Sequence, residues 1–354
     1  MAYLAGMMVL SVQAGAPNNG RGEETVSRVK FARIRGRKYP YVSAQAARRW
    51  IRETMVERGS VPSPVTRVGK AQGKAQKANT QANPVFYADD DLFGYMRAGV
   101  KADETATTTL RDSPFMLGTL MSVEPAYPTE DFGVMSRGVT EPVLHGHEFY
   151  TADLAAPFLL DLPRIGTFTL PGADGVGRPN YLTQEQALQV AEAAALGATT
   201  GSFRDQPAVR LPLEERRRRA ALLPEAIAHL SGGAKQALHY GDRVPALIVL
   251  VPFKGGINPL GHVIDSDPDT GVRVRGDVLV QELEAWAGEW EGPVRIGWRP
   301  GFRDQAREDF EKQCERQLAE GTIVVDHPRT VLLKLAEELR AGELDGWFDD
   351  PEPR

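Results

Sequence analysis

The chain has 354 residues and carries 42 Lys plus Arg against 47 Asp plus Glu, a formal net charge of −5. That length suits one large domain or two ordinary ones, and 42% hydrophobic with 25% charged residues excludes a disordered chain. A single cysteine, Cys314, excludes an internal disulfide and fits a reducing cytosol, where it reads as a buried or partly buried helix residue.

The charge is unevenly spread. Met1 to Thr80 holds 15 Lys plus Arg against 4 Glu and no Asp, a net of +11, so the remainder carries −16. Such asymmetry marks one anion-binding face, and the chemistry it suits is a nucleic-acid backbone.

Tyr3 to Val12 is apolar, and the Ala14, Gly15, Ala16 that follow loosely imitate a signal-peptidase site. No basic segment precedes the run, and it is too short to span a bilayer. Met7 to Gln13 therefore predicts a buried strand, and the expectation is a cytoplasmic protein without a membrane partner. In the loop from Ala16 to Glu24, Asn18, Asn19, Gly20 and Gly22 favour unusual backbone angles. It forms a plain turn or a set of amides that meets phosphate. Val26 to Arg37 alternates, with Arg28 and Lys30 on one side and Arg33 and Arg35 continuing, which predicts an edge strand or hairpin presenting charge along a groove.

The most informative stretch is Tyr39 to Arg58, YPYVSAQAARRWIRETMVER. Pro40 favours an extended residue before it, and Ser43 is a good N-cap. Ala44 to Met55 has no Gly or Pro and predicts one helix. At about 100° per residue, Ala47, Trp50, Ile51 and Thr54 share one face, and Gln45, Arg48, Arg49 and Arg52 the opposite one. Guanidiniums beside a capped helix N-terminus suit phosphate. The competing reading is the solvated face of an amphipathic helix.

Val61 to Pro84 is poor in large apolar residues, carries Lys70, Lys74 and Lys77, and reads as a mobile loop or insertion. Asp89, Asp90 and Asp91 read as a solvated acidic turn or a helix N-terminus rather than a metal site, since three adjacent carboxylates need further ligands of fixed spacing. Arg111 to Tyr127 and Val143 to Leu160 predict two long strands of a protruding hairpin, with Pro128 to Glu141 as its loop. His145, His147 and Glu148 lack a specified third ligand, so no metal and no cofactor is expected.

Leu182 to Ala195 and Leu213 to Leu230 predict helices. Within the second, Arg216 to Arg219 spread around the helix and read as a solvated or subunit-contacting face. Gly232 and Gly233 end that helix, and Ala246 to Phe253 predicts a central strand. Strand, helix, strands, helix, strand is a split βαβ pattern. Beyond Gly255, helices are predicted at Val278 to Trp290, Arg303 to Leu318 and Val331 to Arg340, followed by an acidic tail.

The order of APNNGRG, SRVKFARIRGRKYP, VSAQAARRWIRE, DDLFGYM, PFMLGTL, SRGVTEPVLHGHEFYTADL and LSGGAKQALHYGDRVPALIVLVPF resembles the CRISPR-associated DevR-type autoregulator family. Its members are the repeated guide-RNA-binding backbone subunits of the type I Cascade complex. The resemblance runs from about Leu4 to Phe253. It implies an α+β fold, a modified RNA-recognition-motif (ferredoxin-like) palm in a single domain, with a finger-like insertion at 59–91, a thumb hairpin at 111–160 and a C-terminal helical extension at 255–354. It also implies a scaffold in antiviral defence that performs no catalysis. The implied partners are CRISPR RNA, target DNA paired to the guide, further copies of itself and other Cascade subunits. Ser43, Gln45, Arg48 and Arg52 match the family's guide-binding helix, Arg49 shares their face, and Lys30 matches a basic strand position. Phe93 and Met96 would wedge between bases or pack in the core, and Lys235 and Gln236 are expected to make further RNA contact.

The alternative is a relative that cleaves target RNA. Those relatives carry an aspartate between the first strand and the first helix, where Ala14 to Val42 offers Glu23 and Glu24 but no Asp. A metabolic enzyme is a third class, but no phosphate-loop spacing, dinucleotide fingerprint or Ser-His-Asp order is present.

Overall fold

Tyr3–Gly15 forms a 13-residue strand, β1, between two hydrophobic cores. Leu4, Met8, Leu10 and Val12 enter one, while Ala5, Met7 and Val9 enter the other, which is why the strand is apolar throughout rather than alternating. The computed structural model describes residues 2–20, 22, 26–68, 77–97, 109–135, 138, 143–170, 186–267 and 271–350.

The chain continues through β2 (Val26–Ser27), β3 (Phe31–Ile34), β4 (Arg37–Val42), α1 (Ala44–Glu57), β5 (Thr66–Val68), β6 (Lys77–Asn79) and α2 (Ala88–Phe93). Next come β7 (Tyr95–Arg97), β8 (Thr109–Arg111), β9 (Phe115–Leu117), β10 (Leu120–Ser122), β11 (Thr129–Met135), β12 (Val143–Asp161) and β13 (Thr167–Thr169). Then follow α3 (Gln186–Ala195), β14 (Thr199–Phe203), β15 (Gln206–Arg210), α4 (Leu213–Ala228) and β16 (Leu247–Phe253). The last stretch holds β17 (Ile264–Asp267), β18 (Gly271–Val274), α5 (Gly276–Ala285), β19 (Val294–Trp298), α6 (Asp304–Gln313), α7 (Glu315–Ala319), β20 (Ile323–Asp326) and α8 (Pro328–Ala341).

The main sheet runs β20–β19–β16–β1–β12–β10–β4–β3. Its neighbours are antiparallel except β19 with β20. Within it, β1, α1, β10, β12, α4 and β16 trace a β-α-β-β-α-β path with strand order β16–β1–β12–β10, the split βαβ arrangement. The fold is α+β. α1, α4 and α8 cover the Leu4, Met8 and Leu10 face of β1. Leu279 and Leu283 of α5 and Phe310 of α6 cover the Ala5, Met7 and Val9 face. Residues 255–354 thus carry the expected helices and also add β19 and β20 to the sheet. Cys314 is buried at the junction of α6 and α7, where burial and Asp277 push its thiol up to about 11.

Four sequence expectations need correction. The described part of the predicted hairpin loop, Thr129–Met135, is itself a strand: β11 pairs with Val143–Phe149 of the 19-residue β12, and residues 136, 137 and 139–141 lie outside the described residues. Gly133 permits this, because a Cβ there would fall 2.4 Å from the His145 ring on the facing strand. The predicted arm from Arg111 to Tyr127 is instead broken into β8, β9 and β10. Pro114, Pro125 and Pro128 withhold ladder donors around them.

Asp89, Asp90 and Asp91 are not solvated; they are 3%, 1% and 0% exposed in the first turn of α2. Asp89 accepts from Ser63 N at 3.1 Å and Asp90 from Asn83 N at 3.0 Å. Nor do Arg216 and Arg219 form a solvated face, for they are 5% and 1% exposed. Arg216 donates to the carbonyls of Ile165, Pro163 and Phe348, and Arg219 to those of Pro84 and Val85. Only Arg217 and Arg218 of the four keep to the outside, paired with Asp345 and Glu215. No described helix is long and apolar enough to cross a membrane.

Candidate nucleic-acid interface

Tyr41 and Val42 end β4, and Ser43, at φ −63 and ψ 148, turns the chain into α1 while its Oγ accepts from Ala46 N at 3.4 Å. Ala47, Trp50, Ile51, Thr54 and Met55 are buried, so the apolar face lies where the periodicity puts it. Gln45 and Arg49 are exposed, and Arg48 and Arg52 are half-buried.

The arginine face is already engaged within the chain. Arg48 donates to Phe93 O, and its guanidinium carbon lies 5.6 Å from the Phe93 ring centre. Arg52 sits 4.7 Å from the same ring and 3.5 Å from Asp89. Arg49 pairs with Glu53 one turn on at 2.7 Å. Burial, assisted by Arg52, holds the Arg48 guanidinium below the usual arginine range. Burial and Asp90 push the Asp89 carboxyl up even though Arg52 opposes them. Phe93 is core, and two cations lie over its ring. Met96, two residues past the left-handed Gly94, is 69% exposed on β7.

Three segments far apart in sequence converge beside α1. Lys30 N donates to Asn18 O at 3.2 Å, and Lys30 O accepts from Tyr41 N at 3.1 Å, which holds the basic segment between the Asn-rich loop and the end of β4. Ala234 N donates to Pro17 O at 3.0 Å. Gly232, at φ +103, lies over Trp50, where a Cβ would come within 3.2 Å of the indole. Ser231 closes the contact by donating from its N to Thr54 Oγ1 at 3.2 Å. Lys235 stands at the left-handed φ of 55, and burial lowers its ammonium pKa. The Gln236 amide is turned inward: it donates to Gly232 O and Gly241 O and accepts from Gly241 N at 3.1 Å.

Lys30, Ser43, Gln45 and Lys235 thus belong to one neighbourhood, while Arg48 and Arg52 lean toward α2 and Gln236 toward its own loop. Sequence reasoning missed Arg37 and Lys38. The turn Arg35–Gly36 has φ of 49 and 79, the double positive φ of a type I′ hairpin, so the basic alternation doubles back and continues on β4. An Arg-Gly pair between two short alternating runs was the available signal. Arg243 was also missed. It is 2% exposed, with Nη1 on Asp242 O at 3.1 Å and no partner at Nε or Nη2.

Elsewhere, a cleft of about 670 Å³ is lined by Ser11, Gln13, Glu124, Asp153, Arg303 and Asp304, with Arg303 and Asp153 paired across it at 2.8 Å. His147 is buried against the His239 ring at 4.8 Å, while His145 is exposed. Among the described residues no group of three His, Cys, Asp or Glu is arranged to hold a metal ion.

No family model matches this chain, and no curated protein matches it. Among solved structures it is similar to a chain of a CRISPR RNA-guided surveillance complex, with a TM-score of 0.54 and 12% identity over 95% of this chain and 98% of that one. A chain of such a complex in a pre-nicking state gives 0.51 and 11% over 95% and 99%. At these identities the likeness is one of fold.

Proposed function

We propose that this chain is a backbone subunit of a type I CRISPR surveillance complex of the Cascade kind, binding guide RNA without cutting it. The observation that carries the reading is the joint one. The fold likeness spans nearly the full length of both chains, and α1, the Asn-rich loop and the basic segment beside it fall in the segment that carries the +11 charge, with the Lys235 loop packed against them. In this reading the palm is a modified RNA-recognition-motif sheet whose usual open face is covered by α5 and α6, so RNA lies along the edge formed by Lys30, Ser43, Gln45 and Lys235. The protein holds phosphates and leaves bases free to pair with target DNA, a division of labour suited to amides and cations. Arg48, Arg49 and Arg52 act there once their internal partners exchange for phosphate. Met96, exposed beyond Phe93, wedges between bases. Copies stack along the guide beside other complex subunits in the cytoplasm.

The absence of an Asp between Ala14 and Val42 supports a scaffold over a nuclease. The test is purification of the full chain with its guide transcript. A large particle holding RNA of defined length, with absorbance at 260 nm exceeding that at 280 nm, is expected. A nucleic-acid-free monomer indifferent to added transcript overturns the reading. Regular cuts in complementary RNA after addition of magnesium overturn its non-catalytic part.

A further inference from the structure

Among the described residues the arginines on the outer face of α1 are engaged within the chain. Among the described residues Arg28, Arg49 and Arg52 all have carboxylate partners. Arg33, Arg35, Arg37 and Lys38 have none. These four stand on the two-stranded ribbon β3–β4, which is the outermost pair of the main sheet. Among the described residues the ribbon pairs with β10 at Tyr41 and Val42, and its exposed end, residues 33–37, projects beyond that pairing. Lys38 O accepts from Ala126 N at 2.9 Å, which steadies the root of the projection.

Register makes the charge unusual. Arg33 lies directly opposite Lys38, and Ile34 opposite Arg37. Like charges opposite each other on a ribbon repel and destabilise the pairing. Here the repulsion is partly relieved by Phe31, whose ring lies 4.5 Å from Lys38 Nζ and 5.6 Å from the Arg33 guanidinium. An arrangement that keeps like charges opposed and exposed lowers its energy by taking up an anion. At about 3.3 Å per residue the tip at Arg35 and Gly36 stands about 20 Å from Ser43. Arg33 and Lys38 share one face of the ribbon, Arg37 stands on the other and Arg35 sits at the tip, so the cations surround an arm whose root leads into the N-terminus of α1.

We propose that the β3–β4 ribbon is the principal phosphodiester-binding arm of this chain, and that it carries a single nucleic-acid strand along Arg33, Arg35, Arg37 and Lys38 to the N-terminus of α1. Arg48 and Arg52 hold α2 against α1 and make the smaller contribution at the end of the arm, after their internal partners Phe93 O and Asp89 exchange for phosphate. The inference rests on the guide-binding reading above and names the part of the chain that grips the strand. Contact is with phosphates, so it is indifferent to base sequence.

The experiment measures binding of a labelled single-stranded RNA of mixed sequence to the full-length chain by anisotropy, across a salt series. The variants are Arg33→Ala/Arg35→Ala/Arg37→Ala/Lys38→Ala and Arg48→Ala/Arg52→Ala. Each phosphate neutralised on a single strand contributes about 0.7 to the slope of log affinity against log salt, so the ribbon variant is expected to flatten it by about 3 and the helix variant by less than half of that. A DNA strand of the same sequence is expected to lose affinity equally. Arg33→Lys/Arg35→Lys/Arg37→Lys, which keeps the charge, is expected to retain the parental slope. A ribbon variant with the parental slope overturns the proposal and leaves the guide-binding reading standing. Loss restricted to RNA overturns it in favour of base or 2′-hydroxyl readout. Unchanged RNA affinity with lost particle assembly overturns it in favour of docking on another copy. A parent chain that binds neither strand removes the guide-binding reading and the proposal together.

Discussion

The carboxylate of Asp91 lies 2.8 Å from Arg219 Nη1, with both side chains shut away from solvent. The same oxygen accepts from Gly166 N at 2.9 Å, and the other meets Arg111. Arg111 also donates to Asp91 O, Thr167 O and Arg164 O, and Arg219 to Pro84 O, Val85 O and the Glu215 carboxylate. One carboxylate thereby ties α2, β8, the turn before β13 and α4 into a single joint beneath the candidate interface. Every charge in it is paired or hydrogen-bonded, the condition under which buried ions are tolerated.

Asp91→Asn keeps the shape of that joint and removes its negative charge. Arg111 is then left buried without a counter-charge, and Arg219 keeps only Glu215, a loss of about 3–5 kcal/mol. The urea midpoint should fall accordingly while the slope of the transition stays unchanged. An effect below 1 kcal/mol, on the same order as an exposed pair, would mean that solvent reaches the joint.

Gly6 on β1 faces Phe158 across the adjacent strand, and a Cβ at Gly6 would fall 2.1 Å from the ring. Gly6→Ala forces the ring out of a core that has little free space, at about 1–3 kcal/mol. Phe158→Leu makes room, so the double variant should be more stable than the sum of the two single losses. The coupling in that cycle is the readout. Strict additivity would show that the ring does not cross the strand.

Much of this architecture is legible from local pattern. The continuous apolar runs of β1 and β16 read as buried strands, and the Ala47, Trp50, Ile51, Thr54 face of α1 follows from a period of 3.6. What local pattern cannot carry is the fate of charge. Arg48 reads as solvent-facing until Phe93, 45 residues away, supplies its carbonyl and ring. Arg216 and Arg219 read as a scattered surface until chain ends and loops up to 135 residues away supply acceptors. The strand nature of β11 was hidden for the same reason: its turn-rich sequence is held by β12 rather than by its own propensity. At the candidate site, the helix cap and the buried face are visible in the sequence, and the division between engaged and free cations is not.

His239 stands against His147 at 4.8 Å, joining the loop that carries Lys235 to the β11–β12 hairpin. Burial, then His147, then Lys235 lower its pKa below the ordinary histidine value of 6.5, against smaller opposing effects of the Ala14 backbone and Asp131. A base with a lowered folded pKa binds protons more readily when unfolded. This contact therefore contributes stability above pH 6.5 that is lost as pH falls through the folded value. NMR titration of His239 should give a midpoint below the ordinary histidine range. His147→Gln should move the midpoint upward, and a midpoint indifferent to that substitution would break the proposed coupling between loop and hairpin.

Arg52 and Asp89 stand 3.5 Å apart, with the arginine side chain 32% and the aspartate 4% exposed. Burial and Asp90 hold the Asp89 carboxyl above its ordinary value of 3.8, and Arg52 draws it back. Arg52→Ala removes that restraint and raises the carboxyl pKa further. An acid whose folded pKa is raised binds protons more readily when folded. Its stability contribution is therefore full below pH 3.8 and lost as pH rises through the folded value. The variant should accordingly be about 1 kcal/mol less stable than the parent near pH 7, an exposed-pair magnitude set by the half-open arginine, and recover part of the difference toward pH 4. Denaturant midpoints at the two pH values measure this. A difference that stays constant with pH would place the role of Arg52 in its contact with Phe93, and the variant Phe93→Leu would then reproduce the same loss.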